Sequence, residues 1–156
     1  MLSGMESYDE TLRLADRAAA TPYTELPRTP EWYPFAMAGY FTLVAGTFPL
    51  LREGQILLGA GLLLGAVIAV STLTMTLRTK LGTWPRLSTA PSEIKRAYSL
   101  FIVLALAAFI TSSAVWMWLG DMAGLITVFL TALTVVWAYE YRLYPAAARQ
   151  VRQRLA

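Results

Sequence analysis

The feature that most constrains this chain is an uninterrupted apolar stretch over residues 56–77. It contains no charged residue and no proline, and as an α-helix it would be about 33 Å long. That length matches the hydrocarbon core of a lipid bilayer, which is about 30 Å thick. A chain of 156 residues has little interior in which to bury such a helix. The stretch therefore predicts a transmembrane helix.

Three further apolar stretches indicate that the protein crosses the membrane several times. They cover residues 35–51, 98–119 and 122–139, and short polar turns separate the first span from the second and the third from the fourth. Each is long enough to cross a bilayer as a helix. We therefore predict an all-α integral membrane protein with four transmembrane helices arranged as two hairpins, in a transmembrane domain over residues 35–144.

Small residues recur at helical spacing along all four predicted spans. This small-xxx-small pattern allows two membrane helices to approach backbone to backbone. The candidate helix-packing residues are Ala38, Thr42 and Gly46 in the first span, Gly61, Gly65 and Ala69 in the second, Ala108 and Ser112 in the third, and Gly124, Thr127, Thr131 and Thr134 in the fourth. We expect seams within the chain, and a seam between chains is the alternative. The threonine row could instead line a narrow polar path.

The N-terminal residues 1–34 are predicted to lie in the cytosol. Residues 6–20 have the apolar spacing of a short amphipathic helix, and the proline-rich residues 21–34 should form an extended spacer. Residues 1–31 carry a net charge of −3, whereas residues 32–156 carry a net charge of +6. We therefore expect the N-terminal helix to dock on the basic cytosolic face of the protein or on a basic partner, with Leu12 and Ala15 as contacts. A mobile, solvated tail is the alternative.

The distribution of positive charge predicts the orientation of the protein. Every Lys and Arg residue except Arg52 lies on one side of the predicted spans, and residues 145–156 should form a basic helix that begins at Pro145. The positive-inside rule then places both termini in the cytosol, at the plasma membrane. Basic residues next to the spans would contact anionic lipid head groups. These membrane-surface candidates are Arg78, Lys80, Arg86, Lys95, Arg96, Arg149, Arg152 and Arg154.

Two missing residue types limit the chemistry that this chain can perform. Without cysteine there is no thiol chemistry, and without histidine the commonest metal ligand and the usual general base are missing. No acid or base lies within the core of a predicted span, where an ionisable group would indicate a functional site. We predict no catalytic residue, no cofactor, no metal site and no nucleic-acid partner.

These observations favour a protein that is not an enzyme. We expect a subunit, assembly factor or regulator that acts through helix packing and cytosolic contacts, with a membrane-protein partner or a second copy of itself. The alternative is a small transporter or channel formed by homo-oligomerisation. A transporter needs a water-accessible cavity with convergent polar groups near the middle of the membrane, whereas a packing protein does not.

Overall fold

In a computed structural model the chain is helical, and the structure describes residues 2–25, 29–81 and 87–155. Its helices are α1 (Leu2–Thr24), α2 (Tyr33–Arg52), α3 (Ile56–Leu81), α4 (Ser92–Leu119), α5 (Asp121–Ala138) and α6 (Tyr144–Leu155). A 3-10 turn covers Leu87–Thr89, and a π-helical segment, Tyr139–Leu143, joins α5 to α6. The described ranges contain no strand, and four helices are long and apolar enough to cross a membrane. The predicted all-helical class is confirmed, and the four long apolar helices fit a multi-pass membrane protein.

Proline and glycine define the ends of the membrane helices. Pro34 lies in the first turn of α2, where its missing N–H has no helical partner and its fixed φ favours the helix. Gly54 follows α2 with φ of +78°, and Gly120 separates α4 from α5 with φ of +86°. A residue with a side chain rarely adopts this left-handed conformation. The two glycines therefore allow the chain to reverse within a few residues.

The four apolar helices pack side by side in the order α3, α2, α5, α4, which we call the helix row. Within the described residues, α3 makes its extensive contacts with α2 alone, so most of its surface faces away from the protein. Leu57 on α3 is 90% exposed, and Trp118 at the far end of α4 is 83% exposed. Apolar side chains exposed in this way suit a lipid environment.

A cluster of buried residues lies at one end of the helix row, where α1, α6 and the start of α4 meet. We call it the terminal cluster, and its buried members are Ala20, Tyr23, Ala90, Ile94, Ala97, Ala147, Ala148 and Val151. The helix α6 packs against α4, and α1 packs against α6. Burial of this apolar surface contributes about 25 cal/mol per Å² removed from water. The chain therefore brings its two ends together in a small core of their own.

The first helix continues further than its prolines predict. It runs through Pro22 to Thr24, so the start of the expected extended spacer is helical. A proline inside a helix removes one backbone hydrogen bond. Tyr23 is only 5% exposed in the terminal cluster, and its burial holds this last turn in place.

The contacts of α1 also differ from those expected. Ala15 is exposed, and the side chain of Leu12 lies outside the described residues. The buried contacts come from Ala20 and Tyr23, one to two turns later. Among the described side chains, the contacts of α1 with α6 come from its C-terminal part, where Ala20 and Tyr23 are buried and Arg17 bonds to the carbonyl of Leu155.

The fourth membrane helix also continues beyond its expected end. A new helix was predicted to begin at Pro145, but α5, the π-helical segment and α6 form one continuous helix. Pro145 has no N–H for the carbonyl of Tyr141, and its ring would collide with that carbonyl in an α-helix. The wider π geometry relieves this conflict, with the N–H of Tyr144 donating to the carbonyl of Tyr139.

Candidate functional site

The small residues of α2 lie in contacts within the helix row. Ala38 is completely buried, and the half-buried Thr42 donates its hydroxyl to the Ala38 carbonyl at 2.9 Å. A Cβ added at Gly46 would lie 3.8 Å from Leu62 of α3 and 3.9 Å from Leu125 of α5. Gly46 therefore marks the point where α2 passes both of its neighbours.

The small residues of α4 and α5 meet along a second seam. Ser112 is buried, and its hydroxyl lies 3.1 Å from that of Thr131. Ala108, one turn earlier on α4, is half-buried. At the end of the seam, Gly124 lies beneath the ring of Trp116, where an added Cβ would come within 2.6 Å of the ring. Only a glycine fits at this point without moving the indole.

The threonine row of α5 does not present free hydroxyls. Thr127 donates to the carbonyl of Ala123 at 2.8 Å, and Thr131 donates to the carbonyl of Thr127 at 2.7 Å. Thr134 is exposed, and its hydroxyl donates to the carbonyl of Leu130 at 2.8 Å. A hydroxyl that bonds to its own helix needs no polar neighbour, so this row is compatible with an apolar surrounding.

The stripe of small residues on α3 faces outward, which differs from the expected seam within the chain. Gly61, Gly65 and Ala69 are exposed, and no described atom lies within 4 Å of a Cβ added at either glycine. The contact with α2 instead uses Gly59 and Ala66, which are buried on another face of the helix. We call Gly61, Gly65 and Ala69 the α3 outer face, and it is the candidate site for contact with another helix.

Where their side chains are described, the predicted membrane-surface residues lie on α6 and at the start of α4. Arg154 forms an ion pair with Glu93 at 3.2 Å and ties α6 to the start of α4. Side chains at Arg78 and Lys80, and all of Arg86, lie outside the described residues. The remaining candidates are exposed, and they are Lys95, Arg96, Arg149 and Arg152.

The two short reversals of the helix row are connected by a polar contact that the sequence did not predict. Nη2 of Arg52 lies 2.8 Å from Oδ2 of Asp121, and the indole N–H of Trp116 donates to Oδ1 of Asp121 at 2.6 Å. This contact places both reversals at the same end of the row. The opposite charges of the two predicted turns were the sequence signal that could have indicated this contact. The two turns become neighbours because α2 packs against α5.

A second polar network surrounds the π-helical segment at the opposite end of the helix row. Oε2 of Glu140 accepts a hydrogen bond of 2.5 Å from the hydroxyl of Thr29. The hydroxyl of Tyr141 donates to the carbonyl of Pro30 at 3.2 Å, and that of Tyr144 donates to the carbonyl of Tyr23 at 2.8 Å. We call this network the junction, because it joins the N-terminal segment to the end of the fourth membrane helix.

Glu140 is the half-buried carboxyl group of the junction, just beyond the end of α5. No basic side chain of the described residues forms an ion pair with it. Nothing in the sequence near Glu140 indicates that Thr29 is its neighbour, so this contact could not be predicted.

The described residues contain no group of three or more acidic, histidine or cysteine side chains that could hold a metal ion. Their polar groups are instead engaged in helix contacts, in the contact between the reversals and in the junction. The sequence matches no known protein-family model, and no curated protein or solved structure shows a significant similarity to it. The function must therefore be inferred from the geometry of the chain itself.

Proposed function

We propose that this protein acts without catalysis, as a subunit, assembly factor or regulator that contacts another membrane helix through the α3 outer face. The observation that carries the proposal is the outward orientation of Gly61 and Gly65, with no described atom within 4 Å of an added Cβ. Lipid chains adapt to any apolar surface and gain little from a missing side chain. A second helix gains close backbone contact from the same groove.

The position of α3 at the edge of the helix row supports this role. It is attached through the face that contains Gly59 and Ala66, while Leu64 and Ile68 beside the outer face are 61% and 57% exposed. An incoming helix could therefore pack into the groove without displacing any helix of the protein. Its contacts would come from backbone and small side chains at the centre and from leucine and isoleucine at the edges.

We further propose that the row consists of two helical hairpins with both chain termini in the cytosol, at the plasma membrane. The contact between Arg52 and Asp121 supports a common end for both reversals, and the terminal cluster lies at the other end. The described side chains of Lys95, Arg96, Arg149, Arg152 and Arg154 are at that second end, which favours the cytosolic side. The exposed Lys95 and Arg96 would then lie near anionic head groups.

A matched pair of substitutions tests the proposed contact. Gly65→Leu fills the groove of the outer face, so a partner helix can no longer approach closely. Gly39→Leu is the control, because a Cβ at Gly39 on α2 also meets no described atom within 4 Å but lies outside the α3 stripe. The size of the protein particle is measured after extraction from native membranes in mild detergent. We expect the wild type and Gly39→Leu to remain in a larger assembly and Gly65→Leu to be released as a single chain.

The melting temperature of the isolated chain should not fall in either variant, because a Cβ added at either glycine meets no described atom within 4 Å. A wild type that is extracted as a single chain, or a Gly65→Leu variant that keeps the wild-type assembly, would contradict the proposal. An assembly made only of copies of this chain is the arrangement required by a transporter or channel. An assembly with a different protein would favour a subunit or regulator.

A further inference from the structure

The π-helical segment between α5 and α6 carries an arginine that lies over a tryptophan ring. Cζ of Arg142 is 5.5 Å from the centroid of the Trp137 ring, and the centroids of the Trp137 and Tyr141 rings are 6.0 Å apart. In a regular α-helix, residues five apart point about 140° away from each other. The i→i+5 hydrogen bonds of a π-helix bring such residues to the same side. The departure from α geometry therefore creates this arginine–tryptophan pair.

The pair keeps its hydrogen-bond donors available. Contact with the ring uses the face of the guanidinium and leaves the N–H groups at its edge able to bind an acceptor. Arg142 and the indole N–H of Trp137 have no hydrogen-bond partner among the described residues. Neither Glu31 nor Glu140 forms an ion pair with the guanidinium, and residues 26–28 include no acid. Both side chains of the pair are exposed, so a ligand can reach them.

The position of the pair along the helix matches the depth of lipid phosphates. Asp121, at the other end of the helix row, precedes Arg142 by 21 residues, which is about 32 Å of helix. The hydrocarbon core of a bilayer is about 30 Å thick, and residues 122–139 contain no charge. Tryptophan and tyrosine rings collect at the membrane–water interface. The pair therefore lies where the fourth membrane helix leaves the hydrocarbon and meets the head groups.

We propose that Arg142 and Trp137 form a binding site for the phosphate group of an anionic phospholipid. The guanidinium can donate two parallel N–H bonds to phosphate oxygens, and the indole N–H adds a neutral donor. A head group without a cation, such as that of phosphatidylglycerol, is favoured, because the ammonium of phosphatidylcholine would lie beside Arg142. One face of the Trp137 ring is already covered by the guanidinium. The site holds one lipid molecule, beyond the general attraction between basic residues and an anionic membrane surface.

Fluorine NMR of the full chain in non-ionic detergent tests the site, with 5-fluorotryptophan at all five tryptophans. The Trp137 resonance is assigned by its absence from Trp137→Phe. We expect phosphatidylglycerol to shift this resonance saturably, and phosphatidylcholine or inorganic phosphate to leave it in place. An equal shift with phosphatidylcholine would overturn the proposal, as would the absence of a shift with phosphatidylglycerol. A saturable shift with inorganic phosphate would indicate a site for a free anion instead.

A matched pair of arginine variants distinguishes a built site from diffuse positive charge. Arg142→Gln removes the guanidinium and should weaken phosphatidylglycerol binding at least about tenfold, the equivalent of one hydrogen bond to a charged group. Arg149→Gln removes the same charge from an exposed arginine of α6 and should change the affinity by less than about threefold. Equal losses in the two variants would overturn the proposal.

A third variant separates the shape of the guanidinium from its charge. Arg142→Lys keeps the charge but cannot form two parallel bonds, so it should also weaken binding. Wild-type affinity in Arg142→Lys would contradict a forked contact with phosphate. The resonances of the other four tryptophans should stay in place, which verifies the fold of each variant. The lipid site does not use the α3 outer face, so the two proposals are tested independently.

Discussion

A glycine beneath an indole ring controls the approach of α4 and α5 at their shared reversal. Gly124 leaves the space that the ring of Trp116 occupies. In this position, the indole N–H reaches Asp121, which also pairs with Arg52. The Arg52 side chain is 70% exposed, so the ion pair itself contributes little stability. A single methyl group added at position 124 would instead disturb the packing of Trp116 on Gly124.

Replacing this glycine should therefore destabilise the protein. In Gly124→Ala the new Cβ would lie within 2.6 Å of the Trp116 ring, so the ring must move and its bond to Asp121 is strained. We expect a loss of about 1–3 kcal/mol in the free energy of unfolding, measured in detergent. Gly61→Ala is the matched control, because its Cβ meets no described atom within 4 Å. It should lose no stability and could gain up to about 1 kcal/mol of helix propensity.

The contrast between Gly61 and Gly124 also indicates how far the sequence could predict the site. Both belong to stripes of small residues, and spacing alone makes them equivalent. Periodicity defines a face of a helix, whereas the neighbour of that face depends on the order in which the helices pack. In the helix row α5 has neighbours on two sides and α3 has one extensive neighbour. The same pattern therefore lies beneath a tryptophan in one helix and faces outward in the other.

At the scale of elements, α6 is the helix that unites the chain ends. Its Val151 is completely buried, and Ala147 and Ala148 are each 5% exposed. Arg17 of α1 donates a hydrogen bond of 2.6 Å to the carbonyl of Leu155, at the C-terminal end of α6. Apolar packing and this polar contact together hold α1 against α6.

Shortening the buried side chain of α6 should loosen α1 without affecting the membrane helices. Val151→Ala removes two methyl groups from the terminal cluster and should cost about 2 kcal/mol. Hydrogen exchange in residues 17–24 should become faster, while exchange in α2 and α5 stays unchanged. Gln150→Ala, at the neighbouring exposed position, should behave as the wild type. Unchanged protection of α1 in Val151→Ala would show that the terminal cluster does not hold it.

Hydropathy predicted the four apolar helices because an uninterrupted apolar stretch of that length has few alternatives. It could not predict where helices would continue through proline. Pro22 lies inside α1, and Pro145 follows a π-helical segment instead of a break. In both places tertiary contacts of nearby side chains, Tyr23 and Tyr144, favour the continuous helix. Local rules for proline do not include such contacts.

At the scale of the whole molecule, polar contacts are concentrated at the two ends of the helix row. One end carries Arg52 and Asp121, and the other carries the junction and the terminal cluster. The apolar middle contains the Ser112–Thr131 pair and threonines bonded to their own helices. This division matches a bilayer with water on both sides.

The proposed orientation can be tested with single cysteines, because the natural chain has none. Ser88 is exposed in the 3-10 turn and Gln55 is exposed at the opposite end of the row. With an impermeant thiol reagent added to intact cells, we expect Gln55→Cys to be labelled and Ser88→Cys to remain unlabelled until the membrane is opened. Labelling of Ser88→Cys in intact cells would contradict the proposed orientation and indicate the opposite one.

Cross-linking in native membranes is the most direct test of the central claim, that the α3 outer face contacts another helix. A photoactivatable reagent is coupled to single cysteines in two variants, Gly65→Cys on the outer face and Val67→Cys, about 160° away around the same helix. Val67 is 46% exposed, so both positions accept the reagent. We predict a discrete protein adduct from position 65 and lipid adducts alone from position 67. Lipid adducts alone from both positions would contradict the account, and so would the same protein adduct from both.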